Sequence, residues 1–294
     1  QIIHIVNYRI SYPFTETFSF RGSVTYRHDK QVFLSMDNAS LNRVSDKENQ
    51  TGATAALVFD NSHTIQENIW EGAKFKIFAE YLNQFSPNKG MVNLGLDLRY
   101  SIKLVKNFVW VNRIAAATSM GQQKLVYYMG GVDNWMLRPN PSFNQNISVD
   151  PNQNFAYQTL ATPMRGFIQN TRNGNSFFVW NTEFRLPVFA FLSKYPVKNQ
   201  FLRNLQLVAF GDLGSAWTGH GPYSPDNFFN TQTIVDKPIV IKVQNSREPI
   251  IFGFGGGLRM KLFGYFMRFD VGWGVENGNI SKRPRIQFSL AYDI

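Results

Sequence analysis

Hydrophobic and polar residues alternate along much of the chain. From residue 92 to 104, every even position carries an apolar or aromatic side chain, and every odd position carries a polar residue or Gly. Alternation with a period of two places the two sets on opposite faces of a β-strand. The stretch is more than twice as long as an ordinary soluble strand of about five or six residues.

The same pattern recurs and predicts eleven strands, or thirteen if 17–41 or the start of 120–175 divides. Two-residue turns are predicted at Lys106-Asn107 and Phe263-Gly264, on the periplasmic side of a membrane. The polar stretches 34–51, 120–175, 218–248 and 276–283 are predicted as extracellular loops. The strands are 2–12, 17–33, 52–61, 69–85, 90–104, 107–119, 176–187, 204–217, 249–262, 264–275 and 284–294.

Two kinds of all-β protein fit this pattern, a soluble sandwich and a membrane barrel. Strands of ten or more residues match a tilted membrane crossing of about 9–11 residues. Aromatic residues lie towards strand ends, for example Tyr81, Trp110 and Trp273, as in the interfacial girdles of barrels. Short turns alternate with long connections, as they do in barrels. The sequence therefore predicts an all-β fold, a transmembrane antiparallel β-barrel.

Composition narrows the possible functions. The chain has no Cys, which excludes disulfides and thiolate chemistry, and it carries a formal net charge of +10. A basic chain could bind nucleic acid, but here Lys and Arg are spread through strand-like segments and do not cluster on one helix or patch. We expect no nucleic-acid partner, and contact with anionic lipid head groups or a charged lumen instead.

Two familiar membrane signals are missing from the sequence. No apolar run approaches the ~18 residues of a membrane helix, and Gln1-Ile2-Ile3-His4 does not resemble a signal peptide. Neither absence excludes a barrel, because a barrel strand carries only every second residue into lipid.

Single-chain bacterial barrels usually have an even number of strands, and an open edge in lipid leaves backbone groups unpaired. We therefore expect further strands, and a periplasmic domain, upstream of this sequence.

Short motifs occur in a fixed order in the second half of the chain. The motifs are Gly130-Gly131, Met164-Arg165-Gly166-Phe167, Asn181-Thr182-Glu183-Phe184-Arg185-Leu186-Pro187, Phe210-Gly211-Asp212-Leu213-Gly214-Ser215-Ala216-Trp217 and Gly255-Gly256-Gly257-Leu258-Arg259. Together they resemble the C-terminal barrel of the BamA/TamA-type outer-membrane assembly and translocation family, the bacterial surface antigen family. The resemblance covers residues 90–294, whereas residues 1–89 resemble the family only in the style of their strands.

The resemblance implies a location and a domain organisation. Residues 1–294 would form the C-terminal eleven to thirteen strands of a sixteen-stranded barrel, integral to the bacterial outer membrane. The segment 120–175 would be a long extracellular loop that folds back into the lumen.

The sequence departs from the family in three places. Residues 132–163 separate the Gly-Gly pair from the Arg-Gly motif, where the family has only a few residues. Met164 replaces Val, and Ile294 replaces an aromatic residue.

The resemblance also implies a lock between this loop and the barrel wall. Arg165 would pair with Glu183 and Asp212, and Gly166 and Phe167 would complete the tip of the loop. A guanidinium group has five fixed N–H donors, enough to bind two carboxylates. Gly166 would let the backbone pass close to the wall. The other motif positions carried over from the family are Gly130, Gly131, Arg185, Pro187 and Gly214.

The function implied by the resemblance is assistance in the insertion or translocation of proteins at the outer membrane. In the family the first and last strands part sideways and offer an edge to a nascent strand, and 284–294 would be the closing strand here. Expected partners are outer-membrane lipids, lipopolysaccharide, and outer-membrane or periplasmic proteins of a larger complex. The alternative is a non-catalytic structural or binding barrel that uses its long loops as a partner surface.

Enzyme activity is not expected. The four histidines lie outside any recognisable catalytic motif, and the spacings typical of metal or phosphate sites are absent. We therefore expect no catalytic residue, no metal and no cofactor. The histidines are His4, His28, His63 and His220.

Overall fold

A computed structural model describes residues 2–31, 46–85, 88–136, 149–150, 153–236, 239–244 and 247–290. One sheet of fourteen strands contains eleven long strands, each antiparallel to its neighbours, and three short ones that pair with them. In order across the sheet the long strands are β1 (Ile2–Pro13), β2 (Phe18–Gln31), β3 (Asp46–Asp60), β5 (Ile69–Phe85), β6 (Asn88–Val105), β7 (Phe108–Gly121), β12 (Ser176–Pro187), β13 (Gln206–Trp217), β16 (Ile251–Leu262), β17 (Tyr265–Glu276) and β19 (Arg285–Leu290). The all-β, antiparallel fold predicted from the alternation is confirmed.

Each predicted strand overlaps one of these eleven, but the prediction of 34–51 as a loop is wrong at its end. β3 begins at Asp46, and its first residues continue the pairing with β2, as in His28 opposite Asn49. Residues 46–51 are polar on both faces, so their sequence shows no alternation although their backbone is paired. Residues 32–45, and 291–294 of the predicted last strand, lie outside the described residues.

Tight turns join several of the strands. The predicted turns at Lys106-Asn107 and Phe263-Gly264 are confirmed, with φ values of 50° at Lys106, 51° at Phe263 and 83° at Gly264. The predicted loop 276–283 is shorter than expected. It begins with a tight turn at Asn277-Gly278, after which β18 (Asn279–Ile280) pairs with the end of β17. Asn-Gly favours such turns because both residues readily adopt positive φ.

The longer connections contain structure of their own. The segment 120–175 contributes a three-stranded sheet, and the segment 218–248 contributes a hairpin. The segment predicted as a long loop at 120–175 thus contains short strands of its own. Neither helix in the described part of the chain has the length and apolar character needed to cross a membrane. The smaller elements are β4 (His63–Gln66), β8 (Lys124–Met129), β9 (Trp135–Met136), β10 (Phe155–Leu160), β11 (Arg172–Gly174), α1 (Val188–Leu192), α2 (Gln200–Arg203), β14 (Thr231–Asp236) and β15 (Ile239–Gln244).

Apart from β1, which is exposed on both faces, the main sheet buries its polar face and exposes its apolar face. On β12, Trp180 and Phe184 are 42% and 41% exposed, whereas Glu183 and Arg185 are 1% and 0% exposed. Further along the sheet, Arg259 of β16 is also fully buried. We call the buried face the inner face and the exposed face the outer face. Soluble proteins seldom bury charged residues or expose large apolar patches, and the inverted arrangement is typical of barrel strands in a membrane.

Candidate functional site

The candidate site is the place where the segment 120–175 touches the inner face. We call Met164–Phe167 the loop tip, and its members Met164, Arg165 and Phe167 are 0%, 3% and 7% exposed. Just before the tip, two distant parts of the segment come together: the backbone N–H of Met164 donates to the carbonyl oxygen of Gly131 at 2.8 Å. We call this contact between Gly131 and Met164 the root of the loop. The positive φ of Gly130 (111°) and Gly131 (79°) turns the chain at this root.

Arg165 binds carboxylates on two adjacent strands. Its Nε donates to Asp212 Oδ2 at 2.7 Å and its Nη2 to Asp212 Oδ1 at 2.6 Å, while its Nη1 binds Glu183 Oε1. Its backbone N–H also donates to Asp212 Oδ2, at 2.9 Å. The guanidinium carbon lies 3.9 Å from the ring centroid of Phe210, a cation–π distance. Arg165 therefore uses both its charge and its planar shape.

Other polar groups complete this buried network. The second oxygen of Glu183 accepts from Arg185 Nε at 2.8 Å. Asn181 donates to Asp212 Oδ1 at 2.8 Å and to the carbonyl oxygen of Pro163 at 2.9 Å, just before the tip. Burial lowers the pKa of the Arg165 guanidinium, but the charges of Asp212 and Glu183 raise it by more. The pKa therefore lies well above its ordinary value, and Arg165 stays charged.

Gly166 and Phe167 carry the tip across to β17 and β19. Gly166 has a φ of 84°, and a Cβ atom there would lie 2.7 Å from the carbonyl carbon of Trp273. Gln287 of β19, which is fully buried, donates from Nε2 to the carbonyl oxygen of Phe167 at 3.1 Å. The tip thus contacts the inner face from β12 to β19.

Glycines on the inner face make room for the tip. A Cβ atom on Gly253 of β16 would lie 2.0 Å from the carbonyl oxygen of Arg165, and one on Gly274 of β17 would lie 2.6 Å from the Phe167 ring. Both positions belong to the set of alternate residues that faces inward on its strand, so both lie on the inner face. Side chains at either position would collide with the loop tip.

The structure brings Arg165, Gly166, Phe167, Glu183 and Asp212 together and places the remaining motif residues around them. Arg185 reaches the tip through Glu183. Pro187 is the last residue of β12, and Gly214 packs closely against Met129 and the backbone of Phe178. Sequence reasoning missed Gln287, and it assigned no role to Asn181 or Phe210 although both lie within the quoted motifs. Alternation placed Gln287 and Asn181 on the inner face with many other polar residues, and nothing in the pattern singled them out.

The chemistry of this site is that of a contact between a loop and a wall. Across the described ranges, no group of three or more His, Asp or Glu side chains is arranged to hold a metal ion. The carboxylates of Glu183 and Asp212 are already occupied by guanidinium and amide donors. The arrangement is suited to holding a loop in place.

Two of the solved structures that share this fold are similar over nearly the whole chain. The chain superposes on BamA from Haemophilus ducreyi, in a crystal structure lacking POTRA domains 1–3, with a TM-score of 0.55 and 12% identity, over 97% of this chain and 53% of that one. It superposes on CdiB from Acinetobacter baumannii with a TM-score of 0.50 and 13% identity, over 98% of this chain and 41% of that one. No protein-family model matches the sequence, and a search of curated proteins gives no match.

The chain therefore spans about half the length of the BamA structure and less than half of the CdiB structure. Identities of 12% and 13% establish likeness of fold. The resemblance indicated by the motifs is confirmed at that level: the chain has the fold of the BamA-type barrels.

Proposed function

We propose that this chain is the C-terminal part of an outer-membrane β-barrel domain, and that the whole barrel assists the assembly or export of proteins at the outer membrane. The observation that carries the proposal is the loop tip bound through Arg165 to the inner face of a sheet whose outer face is apolar. The order of the sequence motifs and the likeness of the fold to BamA and CdiB support it.

The proposed domain includes strands beyond this sequence. β1 pairs with β2 on one edge, and within the described residues its other edge has no strand partner. In a lipid bilayer such an edge would leave N–H and C=O groups unpaired, so a closed barrel requires further strands. We place those strands, and a periplasmic domain, in the rest of a longer protein.

The proposed orientation puts the turns at 106–107 and 263–264 in the periplasm and the segment 120–175 outside the cell. The connection 188–205 lies at the periplasmic end, carries Lys194, Lys198 and Arg203, and contains no Asp or Glu. Leu192 and Tyr195 of this connection are 71% and 82% exposed. Basic and aromatic side chains together favour anionic head groups at the edge of a bilayer. Lipopolysaccharide would contact the opposite end of the barrel.

The membrane location can be tested with Leu98→Arg. Leu98 lies on the outer face of β6 and is 38% exposed. An arginine near the middle of a bilayer-facing strand costs about 2–4 kcal/mol in free energy of folding. Leu192→Arg is the control, because Leu192 is more exposed and lies in α1, outside the sheet. We expect a large loss of stability for Leu98→Arg alone, measured by denaturant titration in lipid vesicles; equal, small effects would contradict a membrane location.

The assembly activity can be tested by reconstitution. The full-length protein in liposomes should accelerate the folding of an unfolded model barrel, because a wall that can open offers a strand edge for pairing. The measurement is the fraction of model barrel that becomes protease-resistant and heat-modifiable in its gel mobility over time. Liposomes holding an unrelated barrel are the control. Equal rates in both would contradict the proposed function.

The second candidate function is a structural or binding barrel on the same scaffold. It is favoured by the loops, which form their own sheets, β10-β8-β11 and β14-β15. A folded loop presents a fixed surface, which suits recognition of a protein partner. In that case deletion of 231–244 would abolish partner binding, and the reconstituted protein would leave the folding rate of the model barrel unchanged.

A further inference from the structure

A cleft lies at the proposed periplasmic end of the sheet, between two parts of the chain that are far apart in sequence. One wall is formed by residues 65–67 and Asn107, and the other by the connection 188–205. Gln66 joins the walls, since its Nε2 donates to the carbonyl oxygen of Arg203 and its Oε1 accepts from Asn107 Nδ2 at 3.3 Å. The cleft has a volume of about 620 Å³, within the range of about 300–1,000 Å³ that is usual for small-molecule sites.

The cleft contains a buried donor that lacks an acceptor. Asn204 lines the cleft and is 1% exposed. Its Nδ2 has no hydrogen-bond partner within the residues that the structure describes. Because buried polar groups are nearly always hydrogen-bonded, this amide indicates that a ligand supplies the acceptor.

The charge of the cleft favours an anion. Lys194 and Arg203 line the cleft, are exposed, and form no ion pair with any described residue. Glu67, the acidic residue of the cleft, is bound by Lys261 Nζ at 2.9 and 2.8 Å. A bound anion would therefore meet two unpaired cations, and the carboxylate nearby is already neutralised.

Apolar side chains extend from the cleft towards the outer face of the sheet. Tyr195 lines the cleft and is 82% exposed, and Leu192 of α1 is 71% exposed. In the same connection, the Phe191 ring packs edge-to-face on Phe108, which stacks on Phe184 of the outer face. A ligand with both an anionic and an apolar part fits these surroundings better than a free ion or an acidic peptide does.

We propose that the cleft binds the anionic head group of a phospholipid whose acyl chains lie along the outer face of the sheet. The phosphate oxygens would accept from Asn204 Nδ2, and Lys194 and Arg203 would stabilise the phosphate charge. The proposal rests on the membrane location proposed above, and it adds a defined lipid site to that location.

Lipid binding can be measured on the full-length protein by native mass spectrometry, with phosphatidylglycerol in the detergent micelles as the probe. Lys194→Gln should lower the fraction of protein that retains the lipid about fivefold, because one contact to the phosphate is lost. Lys198→Gln is the matched control, since Lys198 is an exposed cation of the same connection that does not line the cleft. Equal retention by the two variants would overturn the proposal.

Asn204→Asp tests the buried donor. The substitution keeps the shape of the side chain and replaces the amide donor with a negative charge, so retention of phosphatidylglycerol should fall about tenfold or more. Heat-modifiable gel mobility shows whether the variant folds; if it does not fold, the comparison of Lys194→Gln with Lys198→Gln decides alone. Unchanged retention by a folded Asn204→Asp protein would refute the assignment.

Competition identifies the source of the anion. At constant ionic strength, phosphatidylglycerol should stay bound in the presence of excess inorganic phosphate or of an oligoglutamate peptide, because neither has acyl chains. Displacement by phosphate would leave only a free-anion site, and displacement by the peptide would assign the cleft to an acidic polypeptide, so either result would overturn the lipid assignment. Lipid retention is measured without assembly activity. Selective retention by a protein that lacks assembly activity would therefore contradict the proposed function alone.

Discussion

Replacing Arg165 with alanine is expected to lower the stability of the protein by about 3–5 kcal/mol, the usual cost of removing one partner from a buried ion pair. The loss is large because Glu183 and Asp212 are 1% and 0% exposed and would remain buried without the guanidinium that binds both of them. Denaturant unfolding in lipid vesicles measures the stability, and limited proteolysis of the loop measures its release from the wall.

A matched control is Arg99→Ala, which also removes an Arg–Asp pair from the inner face. Asp97 keeps its second partner, Arg113, at 2.7 Å, and the side chain of Arg99 is 34% exposed. We therefore expect the control to cost about 1 kcal/mol or less. Equal stability and equal protease resistance in the two variants would contradict the role assigned to Arg165.

A double variant separates stability from positioning. Combining Arg165→Leu with Asp212→Asn removes one of the unpaired carboxylates, so part of the lost stability should return. The tip would remain free, because the leucine has no donors for Glu183. If the proposed assembly activity requires a seated tip, this double variant should have low assembly activity despite its recovered stability.

Gly253→Ala is expected to produce the second large effect, expulsion of the loop tip by one methyl group. The new Cβ atom would lie 2.0 Å from the carbonyl oxygen of Arg165, a backbone atom that can move only if the tip moves. Overpacking of this kind typically costs about 1–3 kcal/mol. Stability and protease sensitivity of the loop are the two measurements.

Gly256→Ala is the matched control on the same strand. Gly256 is exposed, and the atom nearest to its added Cβ would be the carbonyl oxygen of Val208 at 3.4 Å. Alanine there should be tolerated, or should stabilise the strand by about 0.5–1 kcal/mol by reducing the freedom of the unfolded chain. If both variants behaved like Gly256→Ala, the tip would not be seated against β16.

Alternation predicted the sheet because each strand has one apolar and one polar face. It failed at 46–51, where a paired backbone carries polar residues on both faces, and it could not show the strands inside 120–175. β8, for example, reads Lys-Leu-Val-Tyr-Tyr-Met and pairs in parallel with β10, a partner fixed only by the path of the loop. Local sequence does not encode that path.

For the candidate site too, the sequence predicted which face a residue lies on but not which residues it contacts. Periodicity placed Glu183 on the inner face, but it did so equally for Gln287, and it gave no reason to choose between them. The pairing of Arg165 with Glu183 and Asp212 was implied by resemblance, since the residues lie 18 and 47 positions apart in the chain. Contacts at such separation depend on how the strands align and cannot be inferred from spacing.

The position of Arg165 has a consequence for the order in which the protein folds. Glu183 and Asp212 lie on neighbouring strands that pair with each other, so zipping β12 onto β13 brings two negative charges together. Without the tip, Asp212 would lack the cation that binds it, while Glu183 would keep Arg185. We infer that the tip binds while β12 and β13 are pairing. If the tip bound later, the pairing of these two strands would be slower and the paired state would be less populated.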